Sequence, residues 1–239
     1  YSVKSQVSLS SQRAKSQQCT AYGVGGDFFR FHNYELISGS YLMEDSIAND
    51  QVVIDEEAAW KIFGAIEVDG MTLTYNGKEY IVQGVVKPQD GYKAKAGGAE
   101  SGTVFFPLEA IGQDADCYEI IFPNPVSGFA LKQVKGAFTS CGYSEDDIRI
   151  IDNSERYNFV NSAKRVLKWT DKGMAFKALK YPYWENSAIA VENIVDLLTF
   201  FRIIFIIPPI AIVIISVICF HPIHRLKLLI LRIVEHFRK

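Results

Sequence analysis

Histidine is scarce in this chain. The 239 residues include four histidines, and only His32 precedes residue 203. A Ser-His-Asp triad therefore finds little support in the first 200 or so residues. A zinc site built on several histidines has too few ligands there. Asp146-Asp147 and Glu56-Glu57 place acids side by side, but solvated loops and helix starts explain such pairs better than catalysis does. We predict that the protein is not an enzyme and holds no cofactor or metal.

Basic residues are outnumbered outside the C-terminal end, where 19 bases and 26 acids precede Arg202. All but one of the 27 acidic residues precede Arg202. Nucleic-acid-binding domains need a basic face, so nucleic acid is excluded as a partner. The segment Gly23-Val24-Gly25-Gly26 lacks the Gly-Lys-Ser/Thr of a phosphate-binding loop, and a glycine-rich turn explains it. The sequence has no ATPase motif, so any ATP-driven action needs a separate subunit.

Cysteine is limited to four residues. Cys219 lies in a long apolar run and is explained as a small apolar residue. The other three are Cys19, Cys117 and Cys141, an odd number that leaves at least one thiol unpaired. A strand at 118–122 followed by an antiparallel helix would bring Cys117 and Cys141 together, so a disulfide between them is one hypothesis and two unlinked residues the other.

The chain does contain one long uncharged segment. Ile203 to Phe220 run eighteen residues without a charge, which as a helix covers roughly 27 Å, close to the thickness of a bilayer core. Five bases and one acid follow this run, whereas three acids and no base lie between Pro182 and Phe201. Positive charge marks the cytoplasmic side. We predict a helix in the cell membrane, an extracytoplasmic N-terminal part and a cytoplasmic tail; a buried core helix is the alternative.

Pro208 and Pro209 lie inside the apolar run. Adjacent prolines remove two backbone donors and predict a kink. A hinge in a force-transmitting helix is one interpretation, and a tolerated kink packed against a neighbour is the other. We also expect an export-competent segment, most simply another transmembrane helix, before Tyr1.

The tail from 221 to 239 predicts a basic amphipathic helix. Apolar residues recur there at helical spacing, and the bases lie mainly on other faces. Such a helix binds an anionic leaflet, so membrane lipid is a predicted partner, with an ATPase subunit as the alternative. His221 and His224 could meet at a metal, but Pro222 separates them and an interfacial position is the simpler interpretation.

Local patterns before residue 90 predict strands and one capped helix. Val3, Val7 and Leu9 alternate with polar residues, as in a half-buried strand. A strand at 51–54 leads to Asp55 as a helix N-cap, and Gly64 ends that helix. Asn76-Gly77 predicts a type I′ hairpin whose core face holds Met71, Leu73, Tyr80 and Val82.

The pattern after residue 90 is more mixed. Residues 90–103 predict a mobile surface loop, and 104–106 a strand. A strand at 118–122, a helix capped by Ser127 and a strand at 149–151 would make a β-α-β unit. An amphipathic helix follows in 155–180, and a helix from Ala188 runs into the apolar segment.

The segments VVIDEEAAWKIFG (52–64), Asp69-Gly70 and NGKEYIVQGVV (76–86) resemble the extracytoplasmic core domain of MacB-type ABC transporter permeases. The resemblance implies an α+β fold: a split α/β porter part at 1–26 and 108–180, and an inserted, mostly β sabre part at 27–107. It further implies a stalk at 181–201, a transmembrane helix at 202–220 and the tail at 221–239.

The resemblance also implies a function. In MacB/FtsX-like permeases this domain couples conformational change across the membrane to export or mechanotransmission. It implies an ATP-binding subunit as partner and permits a homodimer or a related permease. We expect the sequence to be either a piece of a longer permease or a reduced relative with two membrane helices. The alternative function is a membrane-anchored binding or sensory module without ATP coupling.

Overall fold

The computed structural model describes residues 1–43, 49–144, 146–168, 173–174 and 182–220, together with Lys227, Ile230, Ile233 and His236. The chain forms two compact units. The first comprises Tyr1–Asp152 and Lys172–Val191, and the second comprises Asn153–Asp171 and Glu192–Lys239.

The first unit is built on one sheet. Its strands are β1 (Ser2–Leu9), β2 (Gln17–Val24), β3 (Leu36–Gly39), β4 (Gln51–Asp55), β5 (Thr72–Tyr75), β6 (Lys78–Val86) and β7 (Thr103–Pro107). The strand order is β1-β2-β7-β4-β6-β3, and β5 also pairs with β6. The β2–β7 and β4–β6 pairs are parallel and the other pairs are antiparallel. A bridge between Ser10 and Thr74 links the end of β1 to β5.

Short helices lie between these strands and after the last of them. They are α1 (Phe28–Phe31), α2 (Glu56–Phe63), α3 (Gly91–Gly97), α4 (Leu108–Ile111) and α5 (Phe129–Ser140). The second unit contains α6 (Phe159–Lys168). The last helix, α7 (Tyr183–Phe220), contributes its residues up to Val191 to the first unit and the rest to the second.

The sheet separates two apolar clusters. Phe106 belongs to a cluster with α2 residues such as Ile62, and Phe105 belongs to an aromatic cluster with Tyr22, Phe28 and Tyr34. Neighbouring strand residues fall in different clusters because successive side chains point to opposite faces. The predicted mixed α/β fold, with an apolar helix after it, is confirmed. The porter and sabre boundaries remain a prediction, and the sheet takes strands from both segments.

The predicted β-hairpin forms with the expected turn. Asn76 and Gly77 have positive φ values of 51° and 78°, and Tyr75 pairs with Lys78. Leu73, Tyr80 and Val82 are buried as predicted. Met71 is 46% exposed, so its placement on the core face was wrong. It precedes the first residue of β5, where alternation along the strand no longer fixes its direction.

The predicted capping of α2 is confirmed. The Asp55 carboxylate accepts a hydrogen bond from the Ala58 amide at 2.7 Å, and Gly64 adopts the left-handed conformation that ends the helix.

Five further predictions in the first unit were wrong. The segment 90–103 contains α3, bracketed by Gly91 and Gly98, whose φ values are 82° and 78°. Residues 118–122 and 149–151 are not strands. Ile121 is 84% exposed, so the apolar composition of this segment did not lead to pairing with a strand of the sheet. Gly128, not Ser127, precedes α5, and the predicted β-α-β unit does not form.

Candidate functional site

An aromatic cluster on the sheet holds the first turns of α7. We call Tyr22, Phe28, His32 and Tyr34 the helix seat. The Trp184 ring lies 4.3 Å from His32 and 6.0 Å from each of Phe28 and Tyr22, measured between ring centroids. Ile189 and Ala190, on the next turn of α7, are 3% and 5% exposed. The start of α7 is therefore part of the folded core of the first unit.

A pair of phenols fixes the position of α7 on the seat. The hydroxyl oxygens of Tyr34 and Tyr183 lie 2.7 Å apart in a hydrogen bond. Burial raises the pKa of Tyr34 well above its ordinary value, so its phenol stays neutral and able to donate. The Tyr41 hydroxyl donates to the Tyr34 carbonyl oxygen at 2.7 Å and holds the backbone of the seat.

His32 joins the seat to an irregular segment of the chain. The His32 Nε2 atom lies 2.7 Å from Glu119 Oε2. The imidazole is 8% exposed and its centroid lies 4.4 Å from that of Phe28. In place of the predicted strand at 118–122 lies an irregular segment, which this pair and the Tyr1–Tyr118 ring contact hold against the first unit.

Helices α3 and α7 pack closely enough for side chains of α7 to bond to the backbone of α3. The Ser187 hydroxyl donates to the Lys93 carbonyl oxygen at 2.8 Å, and the Asn186 side-chain amide donates to the Gly97 carbonyl oxygen at 3.3 Å. A Cβ atom added at Gly97 would lie 2.4 Å from the Tyr183 carbonyl oxygen and 2.9 Å from the Ser187 amide nitrogen. Only glycine fits here, since two of these contacts are to backbone atoms.

An ionic cluster holds α7 within the second unit. Arg165 donates from Nε to Asp196 Oδ2 at 2.8 Å and from Nη2 to Asp196 Oδ1 at 2.6 Å. Arg156 Nε lies 3.2 Å from Glu192 Oε1, and Arg165 Nη1 lies 3.7 Å from the same oxygen. The hydrogen bond to Asp196 raises the pKa of Arg165 further above its ordinary value. We call these four residues the ionic cluster.

The apolar part of α7 is long enough to cross a membrane. Among the described residues, one helix meets that test of length and composition, and its candidate span is Tyr183–Ile218. Pro208 and Pro209 lie within α7, and helical structure is assigned through both. Large apolar side chains such as Phe205 and Ile212 are 74% and 64% exposed, as a helix facing lipid requires.

Comparison with known proteins decides the family. The sequence profile of the MacB-like periplasmic core domain matches residues 2–138, more than half of the chain. The chain belongs to this family. The predicted resemblance is thereby confirmed, and the protein is a MacB-like ABC transporter permease ectodomain followed by an apolar helix. It is accordingly a transporter component with an extracytoplasmic domain and a membrane anchor.

One solved structure supports the fold, and a second is reported beside it. The periplasmic region of MacB from Actinobacillus actinomycetemcomitans is 23% identical, with a TM-score of 0.53 over 72% of this chain and 75% of that one. The extracellular domain of the noncanonic ABC-type transporter YknZ from Gram-positive bacteria is 12% identical, with a TM-score of 0.43 over 63% and 79% of the two chains. No curated protein matches the chain.

The disulfide between Cys117 and Cys141 stays a prediction for this chain. Cys117 and Cys141 are both free thiols, the first half-buried beside Ser2 and the second exposed after α5. The hypothesis depended on a strand at 118–122, which is absent. A Cys117–Cys141 bond therefore stays a prediction for chemical testing. The hinge at Pro208 and Pro209 likewise stays a prediction.

The tail of the MacB-like chain lies largely outside the described residues. His221, His224 and most of the predicted basic helix fall there, and Lys227, Ile230, Ile233 and His236 are helical. Within the described part of the chain, no three His, Cys, Asp or Glu residues are grouped to hold a metal ion.

The sequence prediction missed the residues that attach α7. Trp184 lies before the predicted helix start at Ala188, and Gly97 was assigned to a mobile loop. Glu192 and Asp196 carried a usable signal, because they are four residues apart on one helix and so share one face. Their partners Arg156 and Arg165 carried none.

Proposed function

We propose that this chain is the extracytoplasmic and membrane-anchoring part of a MacB/FtsX-like ABC transporter permease, and that it couples movement of α7 to movement of the ectodomain during export or mechanotransmission. The observation that carries this proposal is that α7 begins inside the core of the sheet unit and continues as the candidate membrane span. One helix thus belongs to both the folded domain and the anchor.

The contacts that hold the first turns of α7 suit force transmission. The Tyr34–Tyr183 and Lys93–Ser187 hydrogen bonds are directional, and Trp184 packs in an aromatic cluster. Sliding α7 by one helical turn would break these bonds and leave buried polar groups unpaired. Because closely packed interiors deform little, we expect the sheet unit to follow α7 rather than let it slip.

We propose that an ATP-binding subunit supplies the energy for this movement. The sequence contains no Gly-x-x-x-x-Gly-Lys-Ser/Thr motif. We propose an ATP-binding subunit on the cytoplasmic side, together with a second copy or a related permease in the membrane. The basic tail, with five bases and one acid after residue 220, would face the cytoplasm and contact anionic lipid.

Purification from native membranes tests this function. The full-length protein, extracted in mild detergent, should bring down a nucleotide-binding subunit, and its ATPase activity should change when α7 is loosened by Gly97→Ala. Gly136→Ala serves as the matched control, since a Cβ at Gly136 has no neighbour within 4 Å. Recovery without any nucleotide-binding subunit would favour the alternative of a membrane-anchored binding or sensory module.

A further inference from the structure

The ionic cluster places two cations and two anions in a largely water-excluded position within the second unit. The side chains of Arg156 and Glu192 are 6% and 5% exposed, and those of Arg165 and Asp196 are 13% and 21% exposed. The charges balance, so no ion is buried without a counter-charge. Such clusters hold geometry well but gain little net stability, because desolvation offsets much of the attraction.

Arg165 is the centre of this cluster. Its guanidinium donates to both oxygens of Asp196, to the Ser162 hydroxyl at 2.9 Å and to the Arg156 carbonyl oxygen at 3.0 Å. These bonds use all three of its nitrogens. A forked guanidinium facing a carboxylate fixes orientation as well as distance. The cluster therefore specifies one rotational setting of α7 against the segment 153–168.

Apolar packing contributes little to the attachment of α6. Ser162 is the one fully buried residue of that helix, while Val160 and Leu167 are 54% and 78% exposed. A second polar contact lies further along α7, where the Arg202 guanidinium is 4.6 Å from the centre of the Phe159 ring. An attachment made of charges can separate in water without exposing a new apolar surface.

The two acids share one side of α7. Glu192 and Asp196 are one turn apart, so a rotation of α7 about its own axis carries both away from the arginines together. We propose that residues 153–168 form an ionic latch on α7, closed when Arg156 and Arg165 hold Glu192 and Asp196 and opened when α7 rotates. This inference deepens the proposed coupling function, since the latch would define the resting setting of the moving helix.

Distances between spin labels on the full-length chain test the latch. Labels at the exposed positions Leu167 and Leu198 report on separation of the two helices, in a background with all four cysteines replaced. The wild-type pair should give one short distance. Asp196→Asn keeps the shape but removes the charge, and it should raise a longer-distance population by about tenfold. Lys164→Gln, which removes an exposed cation from the same helix, should leave the distance unchanged.

Charge exchange separates a latch from ordinary packing. The double variant Arg165→Asp with Asp196→Arg should restore the short distance. Salt at about 1 M screens the separated, hydrated charges of the open state more than the water-excluded closed pairs. It should therefore enlarge the long-distance population in the unmutated protein, a result that does not depend on any variant folding. A single distance that neither salt nor Asp196→Asn alters would overturn the proposal, as would failure of the exchange to restore it.

The result of the latch measurement does not depend on the proposed coupling function. No nucleotide-binding subunit takes part in these measurements. Absence of such a subunit from native membranes would remove the proposed function and leave the latch measurement intact. A latch that does not open would leave ATP coupling to be judged by co-purification.

Discussion

Gly97 and Ser187 approach so closely that α3 and α7 meet through their backbones. A Cβ at Gly97 would lie 2.9 Å from the Ser187 amide nitrogen and 2.1 Å from its hydroxyl oxygen. The hydroxyl can rotate away, but the backbone atoms cannot move without shifting a helix. Gly97→Ala should therefore lower the free energy of unfolding by about 1–3 kcal/mol, measured by urea unfolding of the full chain. Gly136→Ala, in an open helical position, should be neutral or stabilising by up to about 1 kcal/mol.

The Tyr34–Tyr183 hydrogen bond predicts strong coupling between the two phenols. Tyr34→Phe leaves the Tyr183 hydroxyl without its buried partner and should cost about 1–3 kcal/mol of stability. Removing both hydroxyls should cost less than the sum of the two single changes, because no unpaired group remains. Tyr92→Phe, at a position 66% exposed, is the control and should change stability by less than about 0.5 kcal/mol. Additive single and double variants would contradict the coupling.

The Asp55 carboxylate accepts hydrogen bonds from the backbones of both α2 and β7. Its two oxygens accept from the Ala58 amide at 2.7 Å and the Thr103 amide at 2.8 Å, and the residue is 1% exposed. Asp55→Asn turns one acceptor into a donor that faces a backbone N–H. We expect a loss of about 1–3 kcal/mol in thermal unfolding. Asp69→Asn, at an exposed position, should have little effect. Equal stability of the two variants would show that the carboxylate does not hold these elements.

Burial also predicts how Asp55 affects the pH dependence of stability. Desolvation raises the pKa of this carboxyl above its ordinary value of 3.8, and the backbone hydrogen bonds only partly offset that rise. The folded protein then binds the proton more tightly than the unfolded chain. The contribution of this group to the free energy of unfolding falls as pH rises from about 3.8 through the raised pKa. The stability difference between the wild type and Asp55→Asn should shrink across that window; a constant difference would contradict it.

The proline pair predicts a change in coupling rather than in folding. Replacing Pro208 and Pro209 by leucine restores two backbone donors within α7 and should stiffen it. If the pair is a hinge, nucleotide-dependent accessibility of a probe at Leu198 should fall while membrane insertion is kept. Ile210→Leu with Ala211→Leu controls for side-chain volume in the same helix. Unchanged accessibility would leave a tolerated kink as the explanation.

Thiol labelling distinguishes free Cys117 and Cys141 from a disulfide between them. Cys141 is exposed and should react quickly with an alkylating probe. Burial raises the pKa of Cys117 to about 11, so its thiolate fraction at pH 8 is small and its reaction should be slow. A disulfide between them would instead block both residues until reductant is added. Mass spectrometry of the unreduced protein reads these outcomes directly.

The correct sequence predictions concern features encoded within a few residues of one another. Asn76-Gly77 specifies its own turn, and Asp55 and Gly64 cap the helix between them because each acts on adjacent backbone groups. The wrong ones needed a distant neighbour. The apolar residues at 118–122 would form a strand only beside a sheet edge, and the bridge from β1 pairs Ser2 with Cys117, just before this segment.

The sequence by itself determined the family, the hairpin, the capped helix and the apolar anchor, since these depend on local spacing and on runs of one residue type. Only the tertiary structure decided how α7 is held. Tyr34 and Tyr183 are 149 positions apart, Gly97 and Asn186 are 89 apart, and Arg165 and Asp196 are 31 apart. No local pattern pairs such residues, because packing of the completed fold alone brings them within hydrogen-bonding distance.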